Sequence, residues 1–217
     1  MSRENEDTLN TYNVAAKIYL NNTIAHDQKR PEHAAEKRKQ LTANLKKAFS
    51  SLPQGAKVLE IGSADGDNAK ILESFGFNVT ASDVAPAFLN ACKKQNLKTI
   101  KLNVLTDNLP SELQGVLCWR VFVHFTPGDI TLALQRIYDA LLPQSRLVFN
   151  VIDRATHNCN SEMKDFDGDY KMGAKRYYAY YDKNEILNLI NKTKFKIISN
   201  WHEHGGHNDW FCFTLEK

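Results

Sequence analysis

Cysteine is scarce and scattered in this chain. Cys92, Cys118, Cys159 and Cys212 lie far apart with no C-x-x-C pair, so neither a disulfide framework nor a paired-cysteine metal cage is indicated. Three of the four fall inside predicted helices or strands, and a reduced, cytoplasmic chain is expected. No apolar run approaches the ~20 residues that span a bilayer. Residues 1–10 are polar and acidic, so neither secretion nor membrane insertion is expected. A surplus of one charge is also missing. The formal net charge is +3, with Lys and Arg dispersed, which gives no extended phosphate-tracking surface and makes nucleic acid an unlikely partner. What remains is a chain of 217 residues, 42% hydrophobic, which suits one domain with a substantial core.

The informative run is Val58-Leu59-Glu60-Ile61-Gly62-Ser63-Ala64-Asp65-Gly66-Asp67, followed by a second apolar strand ending in Asp83. An apolar strand breaking into small residues before a helix lets backbone N–H groups approach a ligand, because Gly62 and Gly66 carry no Cβ. An acid ending the next strand can accept hydrogen bonds from both ribose hydroxyls. The pattern is that of a nucleoside-cofactor site. It lacks the G-x-G-x-x-G spacing of a dinucleotide site, and Glu60 inside the strand end would repel a diphosphate.

These residues resemble the first motif of class I S-adenosylmethionine-dependent methyltransferases, E/D-x-G-x-G-x-G, with Ala64 at the position of the second glycine. Alanine is tolerable there if its φ is negative. The resemblance continues in order through residues 77–83 (second strand), 97–105 (third strand and adenine turn) and 116–120 (fourth strand). Leu142-Pro143-Gln144-Ser145-Arg146-Leu147-Val148 is similar to the L-x-P-G-G segment before strand five, with both glycines replaced. The similarity covers residue 55 to the C-terminus and implies a doubly wound, Rossmann-like α/β fold. Its mostly parallel seven-stranded sheet has an antiparallel C-terminal strand and an N-terminal helical lid.

Local patterns agree. Gly76 is placed to end a helix over 67–75. Thr126-Pro127-Gly128-Asp129 offers an N-cap hydroxyl, a first-turn proline and an acid three residues on. Residues 195–202 and 208–215 read as two strands whose Gly205-Gly206 connection is too short for a helical crossover, hence antiparallel. Residues 1–54 are read as a lid and 55–217 as the core. In the lid, Val14, Ala15, Ile18 and Tyr19, then Ala34, Leu41, Leu45 and Phe49, recur at helical spacing. Pro31 suits a first helical turn. The basic residues of 29–47 are most simply a solvated face. Tyr12-Asn13-Val14-Ala15-Ala16-Lys17-Ile18-Tyr19 looks like the Y-x-x-x-A-x-x-Y opening of small-molecule methyltransferases, which in that family lids the cofactor.

By resemblance, Glu60, Gly62, Ser63 and Gly66 surround the methionine portion and ribose, and Asp83 holds the ribose diol. Val84 packs on adenine, Asn103 and Val104 read the adenine edge, and Tyr19 closes over the cofactor. The alternatives are that Gly62 serves only a tight turn and Asn103 only a β-turn. Arg120, just after the fourth strand, is read as a partner for the cofactor carboxylate; alternatively it snorkels over Trp119. His124 is the candidate general base, against a purely structural role.

An insertion at 153–181 contributes His157 and the run Arg176-Tyr177-Tyr178-Ala179-Tyr180-Tyr181. Tyr177 and Tyr178 are read either as substrate-pocket walls or as packing on an edge strand. His202 and His204 share a strand face and His207 could fold back through the glycines. No H-E-x-x-H pattern accompanies them, and a polar hairpin explains the same letters. No metal is therefore expected, and His204 and His207 are assigned to the substrate pocket. The resulting expectation is methyl transfer from S-adenosylmethionine to O, N or C of a small molecule. The alternatives are methylation of protein or RNA and a non-catalytic cofactor-binding accessory role. Oligomeric state is not readable.

Overall fold

The computed structural model describes residues 1–165, 175–205 and 208–217, without the side chains of His26, Asp27 and Asp165. Two helices, α1 (Arg3–Lys29) and α2 (Pro31–Ala48), precede an alternating series. That series runs β1 (Lys57–Ile61), α3 (Asp67–Ser74), β2 (Asn78–Asp83), α4 (Pro86–Lys94), β3 (Lys98–Lys101), β4 (Leu113–Cys118), α5 (Pro127–Ala140) and β5 (Leu141–Asp153). A hairpin of β6 (Ser161–Asp165) and β7 (Lys175–Tyr181), then α6 (Lys183–Asn191), β8 (Lys196–Gly205) and β9 (Asn208–Glu216), complete the chain.

The central strands are buried on both faces, as Val58, Leu59 and Ile61 show in β1. Such strands read as continuous apolar runs and pair in parallel beneath helices. Strands β3, β2, β1, β4 and β5 are parallel neighbours in that order. The C-terminal strand β9 lies antiparallel to β5, and β8 lies antiparallel to β9. The expected seven-stranded sheet is thus present as β3-β2-β1-β4-β5-β9-β8. The β6–β7 hairpin extends it to nine strands, β7 running parallel to the end of β5 at Ile152↔Tyr180 and Asp153↔Tyr181.

One sheet face packs on α5 and α6 through Ile130, Leu134, Ile137, Ile186 and Ile190. The other packs on α2 and α3 through Leu45, Phe49, Ala69 and Leu72. The helix ends follow their chemistry. Thr126 Oγ1 accepts from the Asp129 N–H at 3.2 Å, and Asp182 with Glu185 forms a capping box on α6. Gln144, at one of the replaced glycine positions and here within the first residues of β5, keeps a left-handed φ of +63°.

Of the stripe expected on the first helix, Ala15 and Tyr19 turn inward and Val14 and Ile18 do not. Val14 is 81% and Ile18 43% exposed, whereas Tyr12, Ala16 and Tyr19, spaced i, i+4 and i+7, turn inward against Phe88 of α4. Aromatic packing on Phe88 sets the helix rotation. The same helix is latched to β7, where Tyr177 N–H donates to Thr8 Oγ1 at 2.9 Å and Thr11 Oγ1 donates to the Lys175 carbonyl at 2.6 Å. Among the described residues no helix is long and apolar enough to cross a membrane.

Candidate functional site

A cavity of about 660 Å³ opens at the carboxyl ends of β1, β2 and β4, where ligands bind in doubly wound sheets. Its floor is the turn Gly62-Ser63-Ala64-Asp65, the β2 end Asp83-Val84, and Leu102, Asn103 and Val104. Trp119, Arg120, Val121 and His124 follow from the segment after β4. Asn5, Thr8, Tyr12 and Tyr19 of α1 form one wall, α2 another, and Glu203, His204, Gly205 and Trp210 of the last hairpin a third.

The turn after β1 demands its glycines. Gly62 has φ +72°, and a Cβ there would stand 2.4 Å from Val121 Cγ2. Gly66, with φ +91°, would place a Cβ 2.6 Å from Leu97 Cδ1, so it packs the start of α3 against the β3 approach and does not line the cavity. Ala64 departs from the expectation of a negative φ: it sits at +46°, in the left-handed region where an L side chain is strained. Its N–H donates to Asp83 Oδ2 at 3.2 Å, which ties the two motif ends together.

Burial shifts two carboxyls of the motif toward their protonated forms. Glu60 is 1% exposed, and burial pushes it up to about 8. It touches Ser63 and Asn68, which line the cavity, but neither carboxyl oxygen has a well-formed hydrogen bond among the described residues. Burial raises Asp83 to about 6, against the N–H groups of Ala85 and Ala64 that favour its charged form. A cationic amino group beside Glu60 and a diol beside Asp83 would complete both environments. The residues present therefore fit a ligand carrying both groups.

The other end of the cavity is built from side chains far apart in sequence. His124 Nδ1 lies 2.7 Å from the Tyr177 carbonyl, which fixes the proton on that nitrogen. Nε2 is left to accept from the Tyr12 hydroxyl at 3.0 Å. Burial lowers His124 to about 3, helped by the Arg176 guanidinium. Arg176, 2% exposed, donates to the hydroxyls of both Tyr12 and Tyr178. Its guanidinium carbon stands 5.2 Å from each of those two ring centres. Burial raises the Tyr12 hydroxyl to about 12.

Of the expected residues, Tyr19, Gly62, Ser63, Asp83, Val84, Asn103, Val104, Arg120, His124 and His204 line one cavity. Asn103 also serves its turn, Oδ1 accepting from Leu105 N–H at 3.0 Å. Arg120, at φ +60°, lies over Trp210 at 5.2 Å rather than over Trp119, because Trp119 is itself stacked on Trp201. Glu60 and Gly66 stand outside the lining. Tyr177 packs in the main core. Tyr178 is outside the lining and meets His124, at 5.0 Å between rings, and Arg176. His157 stacks on Tyr180 at 3.8 Å and meets Asn208 Oδ1 at 3.0 Å, away from the cavity. His207 and Gly206 lie outside the described residues.

The family model described as Methyltransferase domain matches residues 32–200. The chain belongs to that family. Among solved structures, an S-adenosylmethionine-dependent methyltransferase from Clostridium acetobutylicum superposes with a TM-score of 0.70 at 11% identity, covering 91% of this chain and 98% of that one. A second from Methanosarcina mazei gives 0.69 at 13%, covering 78% and 95%. The 1,6-didemethyltoxoflavin-N1-methyltransferase of Burkholderia thailandensis, with its substrate and S-adenosylhomocysteine bound, gives 0.63 at 18%, covering 93% and 88%. No curated protein sequence matches the chain. By family and by fold it is a class I methyltransferase, whose cofactor is S-adenosylmethionine.

In this methyltransferase the sequence reading missed Tyr12, Phe88, Asn68, Asp65 and Arg176. Tyr12 carried a signal, as the first residue of the Y-x-x-x-A-x-x-Y pattern. Arg176 carried none, since its role depends on β7 docking beneath α1.

Proposed function

We propose that this methyltransferase moves the methyl group of S-adenosylmethionine to an O, N or C nucleophile of a small molecule in the cytoplasm, with residues 1–54 as lid and 55–217 as core. One geometric fact carries the proposal: the turn after β1, the Asp83 carboxyl ending β2, and His124 after β4 all line the same cavity. Its volume is in the range of small-ligand sites. Helices α1 and α2 wall it, which favours a compact acceptor over a macromolecular one. All four cysteines are free and three are buried, which suits a reducing compartment.

The chain's part in such a reaction is positioning, because methyl transfer is an in-line displacement from an already activated carbon. Asp83 accepts from the ribose hydroxyls, Val84 packs on adenine, and Asn103 with Val104 reads its edge. Gly62 and Ser63 admit the methionine portion. Glu60, touching Ser63 and Asn68, ionises as the cationic amine settles near it, and Arg120 pairs with the carboxylate of the methionine portion. Tyr19 closes over the cofactor. His124 Nε2 carries the only lone pair of its ring and, with the Tyr12 hydroxyl, orients the acceptor; it takes the acceptor's proton only where the bound ligand raises the ring from about 3. An unprotonated amine acceptor needs only to be held.

Release of S-adenosylhomocysteine across a metabolite library tests the reading. Turnover on a small molecule supports it, whereas turnover only on protein or RNA, or cofactor binding with none, overturns it. Asp83→Ala should weaken cofactor affinity by about 1.5–3 kcal/mol in calorimetry. Unchanged affinity would displace the ribose from Asp83.

A further inference from the structure

The last hairpin holds a cluster that methyl transfer does not use. His202 and His204 lie two apart on β8 and therefore share a face. His204 and Asp209 are register partners across the antiparallel pair β8–β9. One candidate ligand atom from each of His202, His204 and Asp209 falls within 4.8 Å of the other two. His204 Nδ1 and Asp209 Oδ2 are already 3.1 Å apart, close to the roughly 3.3 Å that separates two ligands of a tetrahedral ion with bonds near 2.0–2.1 Å. Asp153, at the end of β5, places Oδ2 3.0 Å from His202 Nε2. It orients that imidazole and adds negative charge, as carboxylates do around metal-bound histidines.

We propose that His202, His204 and Asp209 form a binding site for a divalent transition-metal ion of the zinc class, buttressed by Asp153. Two imidazoles and a carboxylate are a donor set that suits zinc and its neighbours and not the oxygen-seeking magnesium or calcium. The sequence raises a metal only through His202, His204 and His207, because Asp209 joins the first two histidines through the strand register. The side chains of His202 and His204 are 34% and 79% exposed, so they can contract onto an ion without disturbing the core.

Three protein ligands leave a coordination position open. His204 lines the cavity together with its neighbours Glu203 and Gly205, so the site borders the space proposed for the acceptor. The ion would hold a heteroatom of that acceptor or of a water beside it. This last use rests on the proposed methyltransferase function; metal binding itself does not.

The test is calorimetric titration of zinc into the untagged full-length protein, with cobalt as a spectroscopic substitute. The expected result is one ion per chain and the visible absorption of tetrahedral cobalt. His204→Ala should weaken binding at least about a hundredfold and Asp153→Asn about tenfold. Asp209→Asn, which alters no cavity-lining residue, should lose the ion and keep S-adenosylhomocysteine affinity. No heat of binding, several loose sites, or equal affinity in His204→Ala and the parent would overturn the proposal and show the cluster to be ion pairs on a hairpin. Failure of the parent to bind S-adenosylhomocysteine would count against the function, not against the metal site.

Discussion

At both ends of the cavity burial shifts titratable side chains toward their neutral forms, but the two ends are made from different material and respond oppositely to pH. The end proposed for the cofactor is the backbone turn from β1 into α3, closed by the acids Glu60 and Asp83, whose values are raised to about 8 and about 6. The acceptor end is a side-chain network in which α1 supplies Tyr12, β7 supplies Arg176 and Tyr178, and the segment after β4 supplies His124, lowered to about 3. A backbone turn needs particular residues at fixed spacing. A network across three segments needs only that they dock.

The sharpest way to break the comparison is at Gly62. Its left-handed backbone and the 2.4 Å approach of Val121 Cγ2 to a Cβ leave no room for alanine. Gly62→Ala should therefore lower stability by about 1–3 kcal/mol and cofactor affinity by up to about a hundredfold, read by denaturant melts and calorimetry. Parent-like binding in that variant would mean the turn is not what holds the ligand.

At the other end the expected signature is reversed. His124→Ala should reduce turnover by about a hundredfold with cofactor affinity nearly intact, compared at matched folded fraction. Tyr12→Phe, which removes the hydroxyl shared by His124 and Arg176, should lower turnover by a smaller factor. Equal turnover in His124→Ala and the parent would leave positioning alone as the role of this end.

Titration separates the two ends without mutation. Glu60 and Asp83 bind protons more tightly folded than unfolded. Their contribution to the ligand-free protein is full below the ordinary carboxyl range and is lost as pH rises, through about 6 for Asp83 and about 8 for Glu60. His124 is the converse: its contribution is present above about 6.5 and is lost as pH falls toward about 3. Each group changes stability by at most about 1.4 kcal/mol per pH unit. Glu60→Gln should accordingly flatten the alkaline limb of a stability–pH curve and leave the acid limb alone. Cofactor affinity should rise between pH 6 and 8 as the two acids ionise beside a cationic ligand. A pH-independent affinity would detach the acids from the ligand.

The smallest effect sharpens the backbone side. Ala64 occupies a left-handed conformation at φ +46°, so Ala64→Gly should raise stability by about 1 kcal/mol in a thermal or denaturant melt. No gain would mean that the greater freedom of glycine in the unfolded chain offsets the strain relieved.

The same contrast explains what could be read from the chain. Residues 58–67 and 83 pointed to one end of this cavity because close backbone approach requires glycine and a strand-terminal acid at set intervals. The parallel core followed from alternating apolar strands and capped helices. Tyr177 and His157 look like pocket residues in sequence, yet strand alternation turns Tyr177 into the core and Tyr180 captures His157 by stacking. The value of Asp209 and Arg176 depends on which strand lies opposite or beneath. Pairing partners and helix rotation are set by tertiary packing and leave no local mark.

The first helix has one further consequence. It walls the cavity with Tyr12 and Tyr19, and is fastened to β7 by side-chain hydroxyl bonds at Thr8, Thr11 and Tyr12, with Val14 and Ile18 facing water. Its detachment is a local opening that costs less than unfolding the sheet. Amide protons along α1 should therefore exchange with solvent well before those of β1, β4 and β5, and a ligand touching the two tyrosines should slow that exchange selectively. Bound ligand becomes countable in the deuterium uptake of a single peptide, before any acceptor is known.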